Sequence, residues 1–134
     1  DSYLRRIDTF DYDAENGAIT NTRVVVTIPE GGVSPDGIAL DEEGNIWAAL
    51  WGANAVGRFD PRTGKLLQKI EVPAPNVSSC AFGGKNLDTL YITTARGELS
   101  KAQLEAYPLS GGLFSAKPGV KGMPAEFFRG RINT

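Results

Sequence analysis

Asp36 sits between Pro35 and Gly37 at the head of the stretch PDGIALDEEGNIWAALWG. A carboxylate in that place has two uses: shaping a turn, for which Pro-Asp-Gly is a sequence in its own right, or ligating a hard cation. The chain contains no histidine, which removes the usual general base, the Ser-His and Cys-His pairs and the commonest zinc ligand. Chemistry must therefore run on carboxylates, lysine, tyrosine or a metal-bound water. Ser79 precedes Cys80-Ala81-Phe82 much as Asp36 precedes Ile38-Ala39-Leu40. Its hydroxyl either faces the same cavity or caps backbone groups at a strand entry. Trp51, closing its strand, and Asn54, in the next turn, either line the mouth of that cavity or serve packing and turn formation. Trp47, inside an alternating strand, reads as core.

Other groups with chemical potential are weaker. Asp41-Glu42-Glu43-Gly44 lacks the alternating ligands and distal Glu of a calcium loop and reads as a solvated hairpin turn. Gly83-Gly84-Lys85 lacks the spacing of a phosphate loop, and Gly130-Arg131 is no dinucleotide fingerprint. The single cysteine, Cys80, lies in the apolar setting SSCAF, which excludes an intramolecular disulfide and suits a buried, reduced thiol.

At 134 residues, 41% hydrophobic and 22% charged, the composition is that of one globular domain. Sixteen acidic residues against fourteen basic leave a formal charge of −2, and Arg129 and Arg131 make a basic tail too short to hold a polyanion, so neither nucleic acid nor membrane is an expected partner. No apolar run approaches the roughly 20 residues of a membrane span, and DSYLRRIDTF lacks a signal peptide's apolar centre, so the expectation is a soluble, cytoplasmic chain. The opening on Asp rather than Met points to a processed product or a fragment. Asn76-Val77-Ser78 matches the glycosylation sequon, a pattern that matters only in a secreted chain.

The elements that must position these residues read as strand, turn, strand almost throughout. Tyr3–Tyr12 and Thr22–Ile28 flank Asn16-Gly17 as a hairpin. Gly37–Asp41, Asn45–Trp51, Ala55–Asp60 and Leu66–Val72 follow as four short strands, and the cycle restarts with Ser78–Phe82, Thr89–Thr94 and Gly112–Ser115. Phe59-Asp60 and Thr63-Gly64 echo Phe10-Asp11 and Asn16-Gly17 at offsets of 47 to 49, Ala39-Leu40 echoes Ala81-Phe82 at 42, and Ile46-Trp47 echoes Leu90-Tyr91 at 44. Four-strand units repeating every 40–50 residues or so predict a β-propeller, here an all-β, single partial domain of about three antiparallel blades. Good helix formers ending at Pro108 predict a short helical insertion near 98–107.

PDGIALDEEGNIWAALWG, RFDPRTGKLLQKIEVP, SSCAFGGKNLDTLYITTAR, GLFSAKPGVKGMPAEFF and FDYDAENGAITNTRVV together resemble the C-terminal half of the regucalcin (senescence marker protein) and gluconolactonase family. The resemblance implies half of a six-bladed propeller and metal-dependent hydrolysis of sugar lactones. It assigns Asp36 to a divalent cation, calcium or zinc first, with manganese or iron as further candidates. In the family that cation would also take a Glu from the first blade and an Asn preceding the strand that leads into the DS dipeptide, here Asp1-Ser2. Neither lies in this sequence, and one carboxylate falls short of the six to eight or so oxygens calcium takes or the roughly three protein ligands of an open zinc site. In a completed site the cation would polarise the lactone carbonyl and lower the pKa of a bound water. The implied partners are a small-molecule lactone and whatever closes the ring, either a second copy or an N-terminal half-propeller. The competing expectation is a non-catalytic half-propeller that self-associates or binds a cation weakly.

Overall fold

A computed structural model of the chain describes residues 1–125. The end of the GLFSAKPGVKGMPAEFF stretch, Gly130 and the basic Arg129 and Arg131 lie outside the described residues. Among the described residues three antiparallel sheets follow one another along the sequence. The first pairs β1 (Arg6–Tyr12) with β2 (Ile19–Thr27). The second runs in order through β3 (Ser34–Leu40), β4 (Ile46–Trp51), β5 (Ala55–Phe59) and β6 (Leu66–Glu71). The third comprises β7 (Val77–Gly83), β8 (Thr89–Thr94) and β9 (Leu113–Ala116). The fold is therefore all-β and a partial propeller. Only the middle blade shows the full four strands among the described residues. The first holds just the outer pair, and the third shows three.

The middle blade explains why each strand forms where it does. Ile46-Trp47-Ala48-Ala49-Leu50 is buried on both faces because β4 lies inside the sheet and neighbouring blades cover it. β6, at the outer edge, leaves Leu66 and Leu67 half exposed. Two apolar clusters cement the blades. Trp47, Val56, Val77, Leu90 and Ile92 pack between the second and third sheets, and Ile7, Val26, Ile46, Leu50 and Phe59 between the first and second. Phe82 meets Trp47 edge to face, with centroids 5.8 Å apart at 88°.

The repeat can be followed at atomic level. Asp60 N donates to the Lys65 carbonyl at 3.0 Å and Gly64 N to the Asp60 carbonyl at 2.8 Å, while Asp13 N donates to the Ala18 carbonyl at 2.9 Å and Gly17 N to the Asp13 carbonyl at 2.8 Å. In both turns the aspartate Oδ1 accepts a backbone N–H at 2.9 Å, from Arg62 or from Glu15. Asp60 thus corresponds to Asp13, not to Asp11 as the Phe-Asp echo implies. At the strand entries the offset is 49 instead. Arg5 and Asn54 share left-handed backbone angles of 50° and 54°, and their carbonyls accept from Ile28 N at 2.8 Å and Val72 N at 2.7 Å. The two residues of difference are taken up along β1, where register shifts fall between Ile7 and Asp8 and between Thr9 and Asp11. β1 and β2 are therefore equivalents of β5 and β6.

Within the third blade, between β8 and β9, α1 (Lys101–Ala106) opens on Ser100, whose side chain accepts from Gln103 N while the Gln103 side chain accepts from Ser100 N. No helix among the described residues is long and apolar enough to cross a membrane.

Candidate metal and lactone site

The Pro-Asp-Gly turn signature is overridden by tertiary structure, because all three residues lie within β3. The strand accommodates them through a bulge between Pro35 and Ile38, where pairing with β4 skips residues. Pro35 is buried, and its carbonyl accepts a hydrogen bond from Ser2 Oγ at 2.8 Å. The bulge turns Asp36 outward, exposed, into a hollow of about 250 Å³. Asp1, Ile7, Asp8 and Ile38 line the same hollow. Two of these carboxylates, Asp1 and Asp8, are invisible to a reading organised around Pro-Asp-Gly. Their signal lies in the repeat, where an acidic residue at Asp8 stands within a strand whose equivalent, β5, is wholly apolar apart from Arg58.

Asp8 is an unusual carboxylate. Arg6 Nε lies 3.1 Å from both of its oxygens but has hydrogen-bond geometry only toward Oδ2, leaving Oδ1 buried and without a donor. Asp1 Oδ1 accepts from Leu4 N at 2.8 Å. Among the described residues no three His, Cys, Asp or Glu side chains gather closely enough to hold a metal ion. The donor set these residues offer is therefore incomplete for a resident cation.

Ser79 is not among the residues that line this hollow and is placed by its approach to Gly37. β3 and β7 run side by side, and a Cβ placed on Gly37 would lie 2.2 Å from Ser79 Oγ. Ser79 therefore meets β3 at Gly37, whereas Asp36 faces a hollow lined by first-blade residues and its own strand. Trp51 pairs with Ser34 across β3 and β4 and forms a bridge to Asn76, at the same end of the sheet. Asn54 lines a separate hollow of about 470 Å³ with Lys69, Glu71 and Tyr107. The structure thus packs Ser79 against Gly37 rather than into the Asp36 hollow, sets Trp51 opposite the start of β3 and places Asn54 on another surface.

The acidic turn differs from the expected solvated loop. Glu42, Glu43 and Gly44 are exposed, but Asp41 is 0% exposed. Its Oδ1 accepts from Glu43 N and Asn45 N, and its Oδ2 from Trp47 Nε1 at 2.9 Å and Arg58 Nε at 2.7 Å. Burial pushes the Asp41 carboxyl up, but the bonds from Arg58, Asn45 and Trp47 outweigh it and hold it below the ordinary carboxylate range. Asp41 is a structural anchor, and the sequence hid it because a carboxylate in an acidic turn is normally solvated.

Cys80 is buried with Sγ 3.5 Å from the Trp47 carbonyl oxygen, and burial pushes its thiol up to about 12. Because the thiolate is the reacting form, iodoacetamide at pH 8 should label native Cys80 at least about a hundredfold more slowly than the same chain unfolded in denaturant. Equal rates, read by intact mass, would refute this burial. Asn76 is likewise buried, its Nδ2 donating to the Gly97 carbonyl at 3.2 Å, so the sequon presents no free amide in the folded chain.

A match to the family described as SMP-30/Gluconolactonase/LRE-like region spans residues 1–96. The chain belongs to that family. Regucalcin of Oryctolagus cuniculus is 39% identical over 131 residues, which are 97% of this chain and 44% of the relative, and regucalcin of Homo sapiens is 39% identical with the same coverage. The chain thus spans under half the length of these relatives. Among solved structures, a luciferin-regenerating enzyme aligns with a TM-score of 0.79 at 36% identity, covering 92% of this chain and 41% of that one. A calcium-binding protein, regucalcin, from Agrobacterium tumefaciens str. C58 aligns with a TM-score of 0.80 at 31% identity, covering 91% and 41%.

Proposed function

We propose that the chain contributes Asp36 to a divalent-cation site that hydrolyses sugar lactones or related esters once the propeller is completed. The observation that carries this reading is the exposed Asp36 carboxylate, turned by the β3 bulge into the hollow shared with Asp1 and Asp8, in a member of a gluconolactonase-type family. A cation bound there would act as a Lewis acid on the lactone carbonyl. The chain's own contribution is geometric. The bulge fixes where the Asp36 oxygens stand, and the contact between Gly37 and Ser79 fixes how closely the two blades approach. The remaining oxygen donors come from whatever closes the ring, a second copy or an N-terminal half, and calcium is the first metal to test because a similar solved structure is described as calcium-binding. We place the assembled protein in the cytoplasm.

The test is hydrolysis of a sugar lactone, with and without added calcium, zinc, manganese or iron, by the chain alone and with a complementing half. Metal-dependent turnover in the completed protein should fall by about a hundredfold or more in Asp36→Ala. Activity that persists through both chelation and Asp36→Ala would refute the assignment. The absence of any three-residue ligand cluster among the described residues favours a second reading, a non-catalytic half-propeller that self-associates or binds a cation weakly. Calcium binding without turnover in the completed assembly would establish that reading instead.

A further inference from the structure

Asn54, a turn residue that stands apart from the Asp36 hollow, belongs to a second surface. With Lys69, Glu71, Val72, Pro73 and Tyr107 it lines the hollow of about 470 Å³, within the roughly 300–1,000 Å³ usual for small-molecule sites. Its walls come from the second blade, the crossing that leaves it and the insertion of the third, and none of these residues lines the hollows beside β1. The backbone fixes their positions. Asn54 has a left-handed φ of 54°, donates its N–H to the Pro75 carbonyl at 3.3 Å and accepts from Val72 N at 2.7 Å. Lys69 and Glu71 lie two apart on β6 and so share one face of the sheet. Tyr107 ends α1, its N–H donating to the Gln103 carbonyl at 2.8 Å and its carbonyl accepting from Ser110 N at 3.1 Å.

These bonds leave the side chains uncommitted. Among the described residues the hydrogen bonds of Asn54 and Tyr107 are all main-chain ones, so an amide and a phenol hydroxyl border the hollow with donors and acceptors to spare. Lys69 Nζ and Glu71 Oε1 stand 3.5 Å apart, a loose pair that keeps most of its hydrogen-bonding capacity open. Val72 and Pro73 add apolar surface. Elimination narrows the ligand. An anion would meet Glu71, a metal ion would meet Lys69, and a zwitterion would have to part the pair. An apolar ligand would strip water from both charges without replacing it. The wall is neutral in sum and sets donors beside acceptors, which suits a molecule whose neighbouring hydroxyls each donate and accept, and whose C–H face can lie on an aromatic ring.

We propose that this hollow is a second sugar site, taking a neutral polyhydroxylated ligand whose hydroxyls bond Asn54, Lys69 and Glu71 and whose C–H face rests on Tyr107. The ligand bridges β6 of the second blade to the insertion of the third, whose helix α1 buries none of its residues. Affinity is modest, with a Kd on the order of 1 mM, because the Lys69 and Glu71 side chains are 45% and 84% exposed and water competes for them. None of the six residues lines the Asp36 hollow, so this site and the lactone reading can each fail alone.

Titration of the full chain with methyl β-D-glucopyranoside, followed by amide NMR shifts, tests it, because this sugar carries neither a lactone nor a charge. Saturable shifts should appear at Asn54, Lys69, Glu71 and Tyr107 while Asp36 and Ile38 are unmoved. Asn54→Gly, which keeps the left-handed turn and deletes the amide, should weaken binding about fivefold, and Tyr107→Ala about tenfold. Asp36→Ala should leave the titration unchanged. Gluconate, which adds a carboxylate, and L-serine, a zwitterion, should each bind more weakly than the glucoside. Four results would overturn the proposal: no saturable shift well above the expected Kd, shifts centred on Asp36 instead of Asn54, affinity undiminished in either variant with the fold retained by circular dichroism, or tighter binding of gluconate or serine.

Discussion

Asp41→Ala is expected to cost about 3–5 kcal/mol of stability, the range for removing one partner from a buried ion pair. The side chain of Asp41 is fully enclosed, that of Arg58 is 11% exposed, and their bond is 2.7 Å long. Losing the carboxylate leaves Trp47 Nε1 and the N–H groups of Glu43 and Asn45 without acceptors. It also strands the Arg58 guanidinium, which keeps only Glu43 at 2.8 Å and the face of Trp47 at 5.8 Å. For a chain of this size the loss corresponds to a fall in Tm of about 10–20 °C, measurable by calorimetry. The double variant Asp41→Leu with Arg58→Leu should be more stable than Asp41→Ala alone, because it removes both charges rather than abandoning one. A single-variant loss under about 1 kcal/mol would show that the pair is not an anchor.

The pH dependence of this anchor has a definite sign. Asp41 is held below its ordinary value of 3.8 in the folded chain, so the unfolded chain binds the proton more readily. The stability it contributes is fully present above the ordinary value and is lost as pH falls through the lower, folded one. The acid limb of a stability profile should therefore flatten in Asp41→Leu with Arg58→Leu relative to the natural sequence.

The second large effect lies where two blades touch. Gly37→Ala would place a Cβ 2.2 Å from Ser79 Oγ, 2.6 Å from Ser79 Cβ and 2.8 Å from Ser79 Cα. Rotating the hydroxyl relieves only the first of these, and the last is backbone, so the strands must separate. Overpacking of this kind costs about 1–3 kcal/mol. Ser79→Gly in the same chain should recover part of the loss and not all of it, since the close Cα remains. Full recovery by Ser79→Gly would mean that the side chain alone sets the blade spacing, and no loss in Gly37→Ala would mean that β3 and β7 are not in contact. Because Asp36 precedes Gly37, the same substitution displaces the proposed ligand, and calcium affinity of the completed protein should weaken with stability.

The strands whose residues alternate or run apolar between clear turn signals were legible in the sequence. Thr89–Thr94 coincides with β8, and Ala55–Asp60 and Leu66–Val72 overrun β5 and β6 by one residue each. β3 was not: the sequence starts it at Gly37, and it begins at Ser34. Pro, Asp and Gly each favour turns locally, but pairing of Ser34 and Pro35 with Trp51 and Leu50 outweighs that preference, and the bulge absorbs the mismatch. The repeat was visible in the sequence, but its register at the turn was not: hydrogen bonds uphold the Gly17–Gly64 offset of 47 and overturn the Phe-Asp echo, and they show an offset of 49 only at the strand entry. In the site, Asp36 stood out by its neighbours and Ser79 by its repeat position. Asp1 and Asp8 did not, because their approach to Asp36 depends on how the first blade leans on the second, a relation that no local pattern encodes. Asp41 was misread for the opposite reason, its burial depending on Arg58 from a strand 17 positions away.

At the end of the sheets remote from Asp36, Lys121 to Met123 cross two blades. Lys121 O accepts from Glu42 N at 2.8 Å, Gly122 N donates to the Leu87 carbonyl at 2.8 Å, and Met123 N donates to the Leu40 carbonyl at 3.1 Å. Gly122 lies so close to Phe82 that any Cβ there would strike its ring. These three residues can engage only after both hairpins they join exist, since their partners lie on either side of the seam. Such a latch adds little to the strand count but closes sequence loops of very different length, which places it late in assembly and makes it a barrier to coming apart. The second and third blades are thus tied together by main-chain bonds at a place distant from Asp36, and the first blade lies outside that latch.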